Sequence, residues 1–189
     1  MAEAIPDAGQ RPAAPSPWVE RFARLAPAGG TVLDLACGGG RHSRLFLRLG
    51  YRVVAVDRDL SGAADLAEAP GFEAIAADLE DGSPWPLEGR RFAAVVVINY
   101  LHRPLLPRLV ASVAPGGVLI YETFARGNER FGRPSNPAFL LAPGELLDAV
   151  RGRLQVVAYE HGVVAHPKPA VVQRLAAAAS DEPLDIASL

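Results

Sequence analysis

Five short apolar runs divide the first two thirds of this 189-residue chain: Thr31 to Ala36, Arg52 to Val56, Phe72 to Ala76, Phe92 to Ile98 and Val118 to Glu122. Runs this short and this continuously apolar suit strands buried on both faces. Helical patterns fill the gaps. His42, Leu45, Phe46 and Leu49 share one face of a helix that Gly50 ends, Leu60 to Glu68 is a short helix, and Leu105 to Val113 is a helix with Pro107 in its first turn. Upstream, Ser16-Pro17 opens a helix carrying Trp18, Phe22 and Leu25. Strand and helix in alternation imply βαβ units, right-handed crossovers and a parallel sheet covered on both faces.

The rhythm changes at the end. Pro115-Gly116-Gly117 predicts a turn before the fifth strand, and Pro143 to Val150 a last helix. Leu154 to Glu160 and Ala170 to Ala176 then read as two strands. The segment between them is too short for a crossover helix, so they pair antiparallel. The expected fold is α/β, a doubly wound seven-stranded, mostly parallel sheet closed by a C-terminal antiparallel hairpin.

Length and charge bound the partners. The chain is long enough for one domain, and half of its residues are hydrophobic. A net charge of -2 gives no general basic footprint, so no nucleic-acid partner is expected. No apolar run approaches a membrane span. Cys37 is the only cysteine, which rules out an intrachain disulfide and fits a reducing cytoplasm. Residues 1–16, rich in Ala and Pro, are expected to be a disordered leader, 17–180 the domain, and 181–189 a flexible tail.

The chemistry gathers at strand ends. Asp34-Leu35-Ala36-Cys37-Gly38-Gly39-Gly40 joins a strand to a helix, where ligands of open α/β sheets sit and where glycine lets them approach the backbone. Asp57 ends the second strand, where an acidic side chain can accept from a ribose diol. Asp78 ends the third, where it can accept from an adenine amino group while the Leu79 backbone meets the ring edge. A glycine triplet alone also makes a tight turn, and either aspartate alone also caps a helix. The three together describe a pocket for an adenosine-containing ligand.

As a set, these segments resemble class I S-adenosylmethionine-dependent methyltransferases. Val32 to Gly40 is similar to the first motif of that family, Val53 to Asp57 to the second and Ala76 to Leu79 to the third. Leu109 to Leu119 resembles the helix and Pro-Gly-Gly entry to its fifth strand, and the final strands resemble its hairpin. The likeness covers roughly residues 30 to 178 and is nearest to small bacterial proteins related to the tellurite-resistance, TehB-like, methyltransferases. It implies a Rossmann-like fold and S-adenosyl-L-methionine as cofactor. By the same resemblance Ala36, Cys37, Gly38 and Gly40 run along the methionine part and Asp34 helps to hold its ammonium. Asp57 holds the ribose, Asp78 and Leu79 meet the adenine, and Arg58 and Asn99 are further cofactor-binding residues. Ala36 departs from the family, which often has glycine there.

The acceptor belongs beyond the fourth and fifth strands. Tyr100 and His102 are the candidate catalytic groups, His102 as a general base if the nucleophile must lose a proton. A surface or capping role is the plainer reading of His102. Phe124 to Leu140 is an irregular stretch long enough to suggest a lid, with Phe124, Asn128, Phe131 and Arg133 as candidate acceptor contacts. His161 and His166 have no ligand partners at useful spacing, and no metal is expected. The expected partner is a small-molecule methyl acceptor, with a homodimer possible. Two alternatives stand: a nicotinamide-dinucleotide oxidoreductase, whose G-x-G-x-x-G/A pattern Gly38, Gly40 and Ser43 match only in part, and an S-adenosylmethionine-binding protein without catalysis.

Overall fold

The computed structural model describes residues 13–185. Seven strands form one sheet: β1 Thr31–Leu35, β2 Arg52–Asp57, β3 Phe72–Ala76, β4 Phe92–Ile98, β5 Val113–Phe124, β6 Gln155–Val164 and β7 Ala170–Ala178. Their order is β3-β2-β1-β4-β5-β7-β6. The first five run parallel, β7 is antiparallel to β5, and β6 is antiparallel to β7. The chain winds outward from β1 to β3 and then returns on the other side of β1 as β4. The carboxyl ends of β1 and β4 therefore flank a topological switch point, where such sheets bind ligands.

Four α-helices accompany the sheet: α1 Pro17–Phe22, α2 Arg41–Arg48, α3 Leu106–Ala111 and α4 Glu145–Val150. Strand alternation sends successive side chains to opposite faces, so two cores form. Leu33, Leu35, Val95, Leu119, Tyr121, Leu109 and Leu146 pack on one face. Val32, Val53, Val96, Ile120, Phe46, Phe22 and Trp18 pack on the other. Asp34 shares parity with Val32 and so faces α2.

The helix start at Ser16-Pro17 is as expected: the Ser16 hydroxyl accepts from the Trp18 amide at 3.2 Å. Of the expected leader, 1–12 lie outside the described residues, but Ser16 is buried. Of the expected tail, 186–189 lie outside the described residues.

Several boundaries differ. The short helix after β2 is a 3₁₀ helix confined to Ser61–Leu66, and α4 is confined to Glu145–Val150. The hairpin strands are longer than expected. Pro115-Gly116-Gly117 lies inside β5, where pairing with β4 shifts register between Phe92 and Ala94. The physical reason is close backbone approach. A Cβ on Gly117 would lie 2.8 Å from the Phe92 carbonyl oxygen, so glycine lets the strand kink and continue.

Candidate active site

Two cavities open at the switch point and share Ala36. One, of about 310 Å³, is lined by Asp57, Arg58, Asp78, Leu79, Glu80 and Tyr100. The other, of about 820 Å³, lies along Cys37, Gly38 and Gly39, with Arg41, His42 and Asn99 in its wall. A cavity of about 600 Å³ beside Arg91, Val113 and Gln155 lies at the opposite, amino edge of the strands and touches none of these residues.

Left-handed backbone marks the strand ends. Ala36 (φ 52°) and Asn99 (φ 59°) are the non-glycine residues with positive φ among those described. They follow β1 and β4, the two strands flanking the switch point. Such a conformation strains an alanine and would leave a glycine unstrained. Asn99 is held there by donating its amide to the Glu122 carbonyl at 2.8 Å.

The glycine loop is fixed from below and from the side. Gly40 (φ 71°) is the N-cap of α2. The Gly38 amide donates to Asp57 Oδ2 at 2.8 Å, while the Asp59 amide donates to Oδ1 at 3.1 Å. A carboxylate accepts about four hydrogen bonds, so Asp57 keeps capacity for a diol. Asp78 Oδ1 accepts from the Glu80 amide at 2.9 Å. Gly62 abuts the loop so closely that a Cβ there would lie 3.0 Å from Gly39 Cα. Arg44 bonds the Gly39 carbonyl and Asp65, tying the loop to Ser61–Leu66.

Asp34 is 2 % exposed, and its Oδ2 accepts both the Ser43 amide (2.9 Å) and the Ser43 hydroxyl (2.6 Å). Burial outweighs these bonds and raises its carboxyl to about 6. It thus anchors the first turn of α2. Burial likewise pushes the Cys37 thiol up to about 12, so it stays protonated.

On the adenosine side, the Tyr100 hydroxyl is buried and has no hydrogen-bond partner among the described residues. Burial, then the charge of the Glu80 carboxylate and its approach to the hydroxyl, then the charges of Asp78 and Asp57, raise its pKa. His102 sits next to this cavity, with Nδ1 3.9 Å from Glu80 Oε2.

Residues 13–16, which precede α1, pack beside the larger cavity, with the Ala14 carbonyl accepting from Arg41. Ala13 lines that cavity. Ser16 donates its amide to His42 Nε2 (3.2 Å) and its hydroxyl to Glu122 Oε2 (3.2 Å). Burial, helped by the charge of Arg41, lowers His42 to about 3, so its imidazole is neutral and can accept. Arg174 pairs with Glu122 at 3.0 Å.

Residues 32–117 match the family described as a methyltransferase domain. Over 118 residues it is 37% identical to the ribosomal protein L11 methyltransferase of Xylella fastidiosa, covering 60% of this chain and 38% of that protein. The chain thus spans well under half the length of that relative. TehB from Haemophilus influenzae superposes with a TM-score of 0.67 at 19% identity, over 85% of this chain and 60% of that one. A Burkholderia thailandensis 1,6-didemethyltoxoflavin-N1-methyltransferase, solved with its acceptor and S-adenosylhomocysteine, gives 0.65 at 23% identity, over 87% and 76%. At these identities the two structures share the fold.

Eight of the ten expected cofactor residues line the two cavities: Ala36, Cys37, Gly38, Arg58, Asp57, Asp78, Leu79 and Asn99. Gly40 and Asp34 lie beneath them. The expected acceptor stretch divides. Asn128 is 1 % exposed, its Oδ1 accepting from the Val171 amide (3.1 Å) and its Nδ2 donating to the Pro134 carbonyl (2.9 Å), so it clamps the loop. Phe131 and Phe139 are exposed. Arg103 joins this stretch to β4 by donating to the Ala138 and Leu140 carbonyls and pairing with Glu145 at 2.7 Å. Residues that the strand-end argument missed are Ser16, Arg41, His42 and Glu80; only Arg41, directly after the glycines, carried a local signal. Among the described residues no cluster of His, Cys, Asp and Glu is placed to hold a metal, and no helix is long and apolar enough to cross a membrane.

Proposed function

We propose that this chain is an S-adenosylmethionine-dependent methyltransferase acting on a small-molecule acceptor. The observation that carries it is the pair of cavities joined at Ala36, with Asp57 and Asp78 at one side and the glycine loop at the other. The residues present fit the cofactor. Carboxylates at 57 and 78 suit a ribose diol and an adenine amino group. Gly38 and Gly39 offer bare backbone to the methionine chain.

When bound, the sulfonium supplies an electrophilic methyl group. What this chain supplies is position: the acceptor nucleophile must lie in line behind that methyl group. The part of the larger cavity beyond the glycine loop, toward Asn99 and Ile98 at the end of β4, offers space for it. The position of His102 beside Glu80 supports an orienting role on the adenosine side rather than a general base. Phe131 and Arg133, on the exposed loop after β5, and Phe124 at its root are candidates for acceptor contact from outside. The single cysteine suits a reducing cytoplasm, and a homodimer would use the outer edge of β6, where Val163 is 61 % exposed.

Ser43 weighs against a dinucleotide. It stands at the third position of the G-x-G-x-x-G/A pattern, fully buried and bonded twice to Asp34. Calorimetry with S-adenosylmethionine, S-adenosylhomocysteine and NAD tests the reading. Binding of the two sulfur ligands without NAD is expected, and tighter binding of NAD would defeat it. A protein that binds the sulfur ligands but releases no S-adenosylhomocysteine with any small acceptor would be a binding protein without catalysis.

A further inference from the structure

The cavity of about 600 Å³ at the amino edge of the strands lies at the end of the sheet away from the glycine loop and takes no part in the proposed methyl transfer. Its volume falls in the range that encloses a small molecule. Segments far apart in sequence wall it: the last turn of α3, the start of β5, the turn at 152–155 and residues 179–181 after β7. Hydrogen bonds hold that wall in place. The Gly116 amide donates to the Ala179 carbonyl at 2.7 Å, and the Ala179 amide to the Gly117 carbonyl at 2.9 Å. The Gln155 side-chain amide, oriented to satisfy its surroundings, donates to the Ser180 and Glu182 carbonyls at 3.2 Å each. A wall so held needs little ordering when a ligand arrives.

Two arginines line this cavity, Arg91 just before β4 and Arg153 just before β6. Arg90 and Arg151, their neighbours in sequence, are paired with Glu73 and Asp148. Among the described residues neither Arg91 nor Arg153 has an ion pair. Arg91 donates once, from Nη1 to the Val113 carbonyl at 3.3 Å, and the Arg153 guanidinium makes no hydrogen bond. Asp181 also lines the cavity and pairs with neither arginine.

We propose that this cavity is a second binding site, separate from the cofactor pocket, for a small polyanion held between Arg91 and Arg153. Each guanidinium offers five N–H donors in a planar fork that matches a carboxylate or a phosphate, and across the two residues one donor is in use. Opposing charge comes from Asp181 and from the end of α3, whose aligned peptides present at most about half a negative charge. Two full positive charges exceed both together. An anion with two oxyanion groups, a phosphate compound or a polycarboxylate, engages both forks at once, whereas a monovalent anion engages one. None of this depends on which cofactor the glycine loop holds.

The test uses pyrophosphate and citrate, titrated by calorimetry into the wild type, Arg91→Gln, Arg153→Gln and Arg151→Gln, each first shown to be folded by circular dichroism. Arg151→Gln removes the same charge near Arg153 without touching the cavity lining. At least one probe should bind the wild type, and the tighter of the two tells phosphate from carboxylate chemistry. We expect Arg91→Gln and Arg153→Gln each to weaken that probe about tenfold or more, and Arg151→Gln less than about twofold. Added S-adenosylhomocysteine should leave the affinity of the probe unchanged. Absence of binding by both probes up to about 10 mM would overturn the proposal. So would equal weakening in all three variants, which would mark diffuse surface charge. Displacement of the probe by S-adenosylhomocysteine would put the anion at the glycine loop and overturn it as well.

Discussion

The carboxylate of Asp57 accepts the amide of Gly38 at 2.8 Å, joining the end of β2 to the glycine loop after β1. The side chain proposed to hold the ribose is therefore also the one that sets the loop beside it. Removing it loses a ligand contact and loosens the loop together. Asp57→Ala is expected to cost on the order of 1.5–3 kcal/mol of S-adenosylhomocysteine affinity, while Asp57→Asn, which retains an oxygen for Gly38, should cost less. Calorimetry on folded variants decides; an unchanged dissociation constant for Asp57→Ala would leave Asp57 a loop brace and no ligand.

Asp34 should make stability fall as pH rises. Its carboxyl is raised from 3.8 to about 6, chiefly by burial. The folded state thus binds the proton more tightly than the unfolded chain, and the slope of stability against pH is negative for this group. Its contribution is full below about pH 4 and is lost as pH climbs through about 6, up to roughly 3 kcal/mol in all. Asp34→Asn keeps an oxygen for Ser43 and has no proton to lose. In urea unfolding the variant should gain on the wild type between pH 4.5 and pH 7; a constant difference across that range would contradict the shift.

Ala36→Gly should stabilise the protein. Alanine at φ 52° carries about 1 kcal/mol of steric strain that glycine does not, offset in part by the greater freedom of glycine in the unfolded chain. For a chain of this length a net gain of ~0.5 kcal/mol raises Tm by about 1–2 °C. A lower Tm in scanning calorimetry would mean that the Ala36 methyl packs against its surroundings strongly enough to outweigh the strain.

Tyr100→Phe should separate stability from binding. The hydroxyl is buried beside Glu80 without a well-formed hydrogen bond among the described residues, so deleting it removes a desolvation cost of about 1 kcal/mol. Unchanged or improved stability is expected, together with weaker S-adenosylhomocysteine binding if the hydroxyl meets the cofactor. Destabilisation on removal would reveal a hydrogen bond in the free protein.

The loop after β5 should open when Asn128 is cut back. Asn128→Ala leaves the Val171 amide and the Pro134 carbonyl without their partner. Hydrogen exchange across residues 125–140 should then quicken by about tenfold or more, the equivalent of one or two lost buried bonds, with cofactor affinity little changed. An exchange pattern identical to the wild type would show that Ala125 and Leu141, which bridge the ends of the loop, hold it alone.

What the sequence determined by itself is local: the apolar runs that become β1 to β5, the glycines at 38 and 40, and the acidic residues that close β2 and β3. Each is written in a few neighbouring residues, because strand burial, left-handed turns and strand-end position depend on period and on glycine. Even here Pro115-Gly116-Gly117 misled, since whether such a segment turns or kinks depends on the Phe92 carbonyl across the sheet. Only the tertiary structure decided the rest. Asp34 and Asp57 look alike in sequence, yet alternation and packing bury one against Ser43 and leave the other at a cavity. Ser16 meets Glu122 across 106 positions, His42 is made neutral by what covers it, and Asn128 becomes a clamp because Val171 arrives beside it from β7. Burial and long-range partners set those roles, and neither is visible in a window of sequence.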